Sequence, residues 1–471
     1  MKFPSKSEDR IGRLTAMRAA VYSARRVVPQ AAPAPREDKS RTGELERALG
    51  AACGRNAYGE YMVIRRWFDA PAECPAPLDA VRLLAPGAPP EAADPRNWLF
   101  LDTETTGLAG GTGTYAFLTG LAWWDSAGLQ VEQFFLRDFD EEHSMLLALR
   151  ERMAERPVLV TFNGKSFDWP LLETRYRMTR SLHPPAPAAH LDLLHPARQL
   201  WRLRLGSVRL SELERHVLGW DRGFDIRSDL IPGIYFDYLR GGPLAPLTDV
   251  VRHNQSDLRG LATLAVRMLD LLASPEGAHG HALDCYGLSR LLDRRGDRGR
   301  ARVLYERALD GGLPADIDRA GRRELALLAR RQRDYARAAT LWEELLVAPA
   351  CPEAESRRAF RPAHLATAFL SEDDAGLKPS ATQPKARFAD SMCFEAYEQL
   401  AIYYEHRAHN PQRAAALVRD ALAELRRAAR ARRLDVFTAH RLTARFERRL
   451  QRLQRKESRA LFVACSEKML T

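Results

Sequence analysis

Phe100-Leu101-Asp102-Thr103-Glu104-Thr105-Thr106-Gly107 decides the reading of this chain, because an apolar run from Trp98 to Leu101 ends in two carboxylates spaced two residues apart. Side chains on a strand alternate between faces, so Asp102 and Glu104 point the same way. Like charges held that close raise one another's pKa unless a divalent cation stands between them. The spacing therefore predicts a metal site at a strand end. Asp168 at one helix start and Asp257 on a later helix have the contexts to complete it.

Outward from that stretch, Trp98 to Asp102, Ala116 to Trp124 and Leu129 to Leu136 read as successive strands, the last two joined by the turn Asp125-Ser126-Ala127-Gly128. Met145, Leu146, Leu149 and Met153 recur at helical spacing over Glu141 to Glu155, and Val158 to Phe162 is a further buried strand. Helices are predicted at Trp169 to Met178, Val208 to Val217 and Thr248 to Leu272. Strands first and helices alternating afterwards predict a mixed α/β sheet flanked by helices. From Ala282 the pattern is wholly helical and repeats: Ala301, Leu304, Tyr305 and Ala308 are echoed by Ala338, Leu341, Trp342 and Leu345, then by Ala414, Leu417, Val418 and Ala421. Paired helices with small Ala facing bulky positions are the tetratricopeptide pattern, with an unspecialised helical bundle as the alternative.

A chain of 471 residues exceeds one core and divides into domains. Residues 1–45, rich in Arg, Ala and Pro, are expected to be a disordered basic segment with one short helix around Arg10 to Arg25. Residues 46–97 form a small strand and linker region, with a strand or hairpin over Tyr58 to Phe68. Residues 98–273 are the α/β domain, 282–425 the helical repeats and 426–471 a basic helical tail. The net charge of +11 is unevenly spread: residues 98–273 hold 19 Lys and Arg against 22 Asp and Glu, whereas 421–471 hold 14 against 5. Such a tail suits an anionic partner such as nucleic acid, or is a solvated helix face. The longest apolar stretch, Thr114 to Trp124, is too short to span a bilayer, and no signal-like segment opens the chain, so a cytoplasmic protein is expected. Six cysteines without a CxxC argue against a zinc or disulfide framework and are expected to be reduced and mostly buried.

In the order Asp-x-Glu, then Asn163-x-x-x-Phe167-Asp168, then His253-x-x-x-Asp257, the chain resembles the DEDD 3′–5′ exonuclease superfamily of the ribonuclease H fold. Gly110-Gly111-Thr112-Gly113, Leu191-Asp192-Leu193-Leu194-His195, Arg198, Arg222-x-x-Asp225, Ile231-Pro232 and Tyr235 make it similar to the YprB-type ribonuclease-H-like family, which joins such a domain to C-terminal tetratricopeptide repeats. The resemblance implies that Asp102, Glu104, Asp168 and Asp257 hold two divalent cations, Mg²⁺ or Mn²⁺, with Asp102 bridging both. It also implies hydrolysis at the 3′ end. The chemistry fits independently, since two ions ~3.5 to 4 Å apart activate a hydroxide and neutralise phosphate charge. Hard cations take oxygen ligands, which suits four acids and no cysteine.

His253 and Asp257 share a helix face, and the histidine reads either as the base that takes a proton from the attacking water or as a phosphate-contacting residue. The superfamily usually has Tyr at this offset and places its His one residue farther from the Asp. Thr103, Asn163 and Phe167 are assigned to substrate binding, with core packing the alternative for Phe167 and helix capping the alternative for Asp168. Asp192, His195, Asp225 and Asp229 are further polar residues expected near the cleft. The expected activity is metal-dependent cleavage of a DNA or RNA end. The alternative is a non-catalytic nucleic-acid-binding scaffold whose repeats recruit a protein partner.

Overall fold

The computed structural model describes residues 39–69, 77–107, 112–126, 128–223, 225–274, 280–347 and 384–468. Two units divide the chain, Met1–Gly50 and Ala51–Thr471. In the first, helix α1 spans Lys39–Leu49. The short helix expected around Arg10 to Arg25 lies outside the described residues.

The second unit is built on a seven-stranded sheet: β1 (Ala51–Asn56), β2 (Gly59–Phe68), β3 (Trp98–Thr105), β4 (Ala116–Trp124), β5 (Leu129–Phe135), β6 (Val158–Thr161) and β7 (Ala189–Asp192). Its order is β1-β2-β5-β4-β3-β6-β7. Pairing is antiparallel from β1 through β3 and parallel along β3, β6 and β7. A strand covered on both faces reads as a continuous apolar run rather than an alternating one. That is why Trp98, Leu99, Phe100 and Leu101 of β3 are all buried. Each such side chain contributes about 1.5 to 3 kcal/mol by leaving water.

Helices α2 (Leu78–Leu84), α3 (Glu142–Glu155), α4 (Asp168–Thr179), α5 (Leu194–Leu205), α6 (Leu210–Leu213), α7 (Ile231–Leu239) and α8 (Ala245–Ala273) surround this sheet. The 29-residue α8 packs along β3, β4 and β5 and carries the last site residues to the sheet. A π turn, Glu214–Leu218, follows α6 directly. The region expected as a separate strand and linker segment instead supplies β1 and β2 to this sheet, through pairing of Met62–Phe68 with β5. Ala-Ala-Cys-Gly-Arg-Asn has little strand propensity, and β1 forms because the Asn56–Gly59 turn folds it onto β2. The short β7, α5 and α7 are also additional to the sequence-predicted elements.

Beyond α8 the chain is helical: α9 (Ala282–Arg294), α10 (Arg298–Asp310), α11 (Ala315–Arg331), α12 (Tyr335–Val347), α13 (Pro384–His406), α14 (Pro411–Arg430) and α15 (Val436–Lys468). Asp297 and Asn410 cap α10 and α14 by accepting from the amides of Arg300 and Arg413. Helix α9 packs on α5, so one apolar cluster runs from the sheet into the first helix pairs. A second cluster joins α13, α14 and α15 through Phe394, Val418, Leu425, Phe446 and Leu453. Among the described residues, no helix is long and apolar enough to cross a membrane. Of the described cysteines, Cys285 is buried, Cys393 half-buried and Cys53 exposed, all without a disulfide.

Candidate metal centre

Three elements deliver the acids: β3 brings Asp102 and Glu104, the first residue of α4 is Asp168, and α8 presents Asp257. Asp168 is the first residue of its helix, after Phe167 at the N-cap position, and its carboxylate accepts a 2.5 Å hydrogen bond from the Thr103 hydroxyl. Thr103, expected to meet substrate, is buried and committed to Asp168. Asn254, fully buried beside His253, donates from Nδ2 to Asp102 Oδ2 at 2.7 Å, while Gln133 donates to its Oδ1 at 2.8 Å. Room for this amide comes from Gly120, which pairs with Asp102 across β3 and β4; a Cβ there would collide with Asn254 and Leu258.

The carboxylates act on one another. Burial first, then the charges of Asp257, Glu104 and Asp168, push the Asp102 carboxyl well above its usual range. Glu104 is raised in the same way, by burial and then by Asp257, Asp168 and Asp225. Asp168 is pushed up to about 6, chiefly by burial. Against these four acids the one Lys or Arg pairing with them, among the described residues, is Arg222 on Asp257, at 2.5 Å. A donor set of crowded oxygen ligands short of positive charge is what a hard divalent cation requires.

Arg222 is a hub. It also pairs with Asp225 at 3.1 Å and with Glu214, which is wholly buried in the π turn. Burial raises Glu214 to about 7, with Arg222 opposing. Gly260 of α8 makes the space for Glu214, since a Cβ there would strike its carboxylate. Asp225 is the partner of His253: its Oδ1 lies 2.6 Å from Nδ1. The other ring nitrogen faces Asp257 Oδ2 at 3.3 Å and Glu104 Oε1 at 3.8 Å. One ligand atom each from Glu104, His253 and Asp257 lies within 4.8 Å of the others.

The remaining predicted residues are placed differently. Asp192 is buried and ties down the chain before α4, accepting from the amides of Asn163 (2.9 Å), Lys165 (3.0 Å) and Leu194 (3.1 Å). Asn163, exposed and at φ 71°, turns the chain there, and Phe167 is half-buried immediately before Asp168. His195 is exposed, and Asp229 forms an exposed pair with Arg227. Sequence reasoning named neither Asn254 nor Glu214, and read Arg222 only as part of the Arg222-x-x-Asp225 motif. The adjacency of Asn254 to His253 was the available signal, masked because an amide is not a metal ligand by habit.

Residues 99–269 match the family model described as the RNase_H superfamily. Over 250 residues the chain is 33% identical to the "Uncharacterized protein YprB" of Bacillus subtilis (strain 168), covering 53% of this chain and 60% of that protein. The chain thus spans less than two thirds of that relative's length. Among solved structures it is similar to the family B DNA polymerase from the hyperthermophilic archaeon Pyrobaculum calidifontis, with 16% identity, 42% of this chain and 29% of that chain covered, and a TM-score of 0.30. The mixed seven-stranded sheet with its flanking helices is consistent with a ribonuclease H-like fold over the residues that match this family model, 99–269.

Proposed function

We propose that the chain is a metal-dependent nuclease that hydrolyses phosphodiester bonds at DNA or RNA ends, in the 3′-to-5′ direction. The observation that carries this reading is the convergence of Asp102, Glu104, Asp168 and Asp257 from β3, α4 and α8. These four side chains would hold two divalent cations, Mg²⁺ or Mn²⁺. When bound, such ions supply an activated hydroxide and neutralise charge on the phosphate. Asn254 and Thr103 fix the carboxylates of Asp102 and Asp168, and Arg222 fixes that of Asp257, so the acids are held before substrate arrives.

Residues 98–273 would form the nuclease domain. The helix pairs over 282–425, read as tetratricopeptide-like, would recruit a protein partner, and the basic tail would hold substrate. The deciding experiment incubates the purified protein and its Asp102→Ala variant with Mn²⁺ and 5′-labelled single- and double-stranded DNA and RNA. A ladder shortening from the 3′ end is expected, with turnover falling by about a thousandfold or more in the variant, roughly 4 kcal/mol of barrier. Undiminished cleavage by a folded Asp102→Ala protein would overturn the assignment, and cleavage of a circular strand would move the cut to internal bonds.

A further inference from the structure

His253 sits nine-tenths buried against the carboxylates, with its two ring nitrogens in unlike surroundings. Nδ1 lies 2.6 Å from Asp225 Oδ1, and Asp225 is itself steadied by Arg222 at 3.1 Å. A carboxylate only accepts, so Nδ1 donates to Asp225, and Nε2 is the ring nitrogen whose lone pair can be offered to a cation. Among the described residues Nε2 makes no hydrogen bond. It faces Asp257 Oδ2 at 3.3 Å and Glu104 Oε1 at 3.8 Å.

Those separations suit donors grouped around one cation. With bonds of ~2.1 Å, neighbouring octahedral donors lie ~3 Å apart and opposite ones ~4.2 Å. The three ligand atoms of Glu104, His253 and Asp257 all fall within 4.8 Å of one another. Asp257 is already oriented for this: Arg222 holds Oδ1 at 2.5 Å and leaves Oδ2 turned towards the imidazole. Metal-binding histidines characteristically donate their second ring N–H to a carboxylate, the part Asp225 plays here. A general base needs its lone pair open to the attacking water, whereas this one points between two acids.

We propose that His253 Nε2, Glu104 and Asp257 form a mixed nitrogen and oxygen site for one divalent cation, with Asp225 as the residue that orients the imidazole, and that this site favours Mn²⁺ over Mg²⁺. This rests on the metal-dependent reading above and gives His253 a ligand's part in place of a base's. Mg²⁺ is served by oxygen donors, whereas imidazole strengthens binding of first-row transition ions. Asp102 and Asp168 are left as the oxygen-only side of the centre.

The test uses the full-length protein, with pulsed electron spin resonance of bound Mn²⁺ and calorimetric titration of Mn²⁺ and Mg²⁺. The wild type should show coupling of Mn²⁺ to one imidazole nitrogen, replaced by the ¹⁵N pattern in protein made with ¹⁵N-histidine and lost in His253→Ala. That variant should bind Mn²⁺ about 10 to 100-fold more weakly while its Mg²⁺ affinity changes by less than about threefold. Asp225→Asn should keep the nitrogen signal and bind Mn²⁺ about tenfold more weakly. If His253→Ala does not fold, as judged by circular dichroism, the isotope substitution in the wild type decides alone. Mn²⁺ bound without nitrogen coupling would overturn the ligand role and leave the carboxylate site standing; no binding of Mn²⁺ at all would remove both.

Discussion

Glu104 in the sheet and Glu405 in the C-terminal helices are both buried, yet their surroundings drive them in opposite directions. Around Glu104 stand other acids, and its carboxyl is pushed well up by burial and then by Asp257. Around Glu405 stand Arg452 at 2.6 Å, Lys456 at 2.7 Å and Arg449 at 3.3 Å. Burial alone would raise Glu405, but the hydrogen bonds from Arg452 and Lys456 outweigh it and hold the carboxyl at about 2. Glu398 repeats the arrangement with Arg445 and Arg449. One region gathers buried negative charge that its own side chains leave mostly unanswered, and the other answers it locally. Buried acids left without local countercharge mark a candidate functional site.

The largest effect that separates the two regions should come from Glu405→Gln. Its folded carboxyl titrates below the unfolded one, so the pairing stabilises the protein above about pH 4.3 and is lost as pH falls towards 2. At pH 7 chemical denaturation should show a loss of about 2 to 3 kcal/mol, allowing for the half-exposed Arg452 and Lys456. An unchanged midpoint would break the comparison from the helical side.

A smaller effect, of opposite sign, is expected from Glu104→Gln in the presence of a chelator. Removing one of several repelling charges should leave stability at pH 7 unchanged or raise it by about 1 kcal/mol. A loss comparable to that of Glu405→Gln would mean that the sheet acids are compensated after all.

The smallest effect concerns the tail. The structure divides its arginines: Arg445, Arg449 and Arg452 face Glu398 and Glu405, whereas Arg441, Arg448 and Arg455 are exposed, spaced seven apart, and pair with no acid among the described residues. Neutralising the second set should lower the slope of log affinity against log salt for single-stranded nucleic acid by about 0.7 per arginine. The same slope in the variant would make this face merely solvated.

The sheet and the site were unequally legible in the sequence. Asp102 and Glu104 could be read because strand periodicity is local, and Asp257 because four residues separate it from His253 on one helix. The antiparallel β3, β4 and β5 announced themselves through long apolar runs. By contrast β1 and β7 are short, and β1 is held by the register of its neighbour rather than by propensity. Asn254 escaped for another reason: its meaning lies in its contact to Asp102, 152 positions away, and no local pattern encodes a hydrogen bond of that span. Arg222 was legible only within the Arg222-x-x-Asp225 motif, and its ties to Glu214 and Asp257 appear only in the fold.

The pairing of Asp102 with Gly120 also ties chemistry to correct threading of the sheet. Were β4 to slip by one residue, Thr119 or Leu121 would stand opposite Asp102, and its side chain would claim the volume that the Asn254 amide and Leu258 occupy. A misthreaded chain would therefore lose the oriented Asp102, and with it the extra stability that an ion bound only by the native form would confer. Ion capture at this centre would then serve as a checkpoint, rewarding only molecules whose strands have found their proper partners.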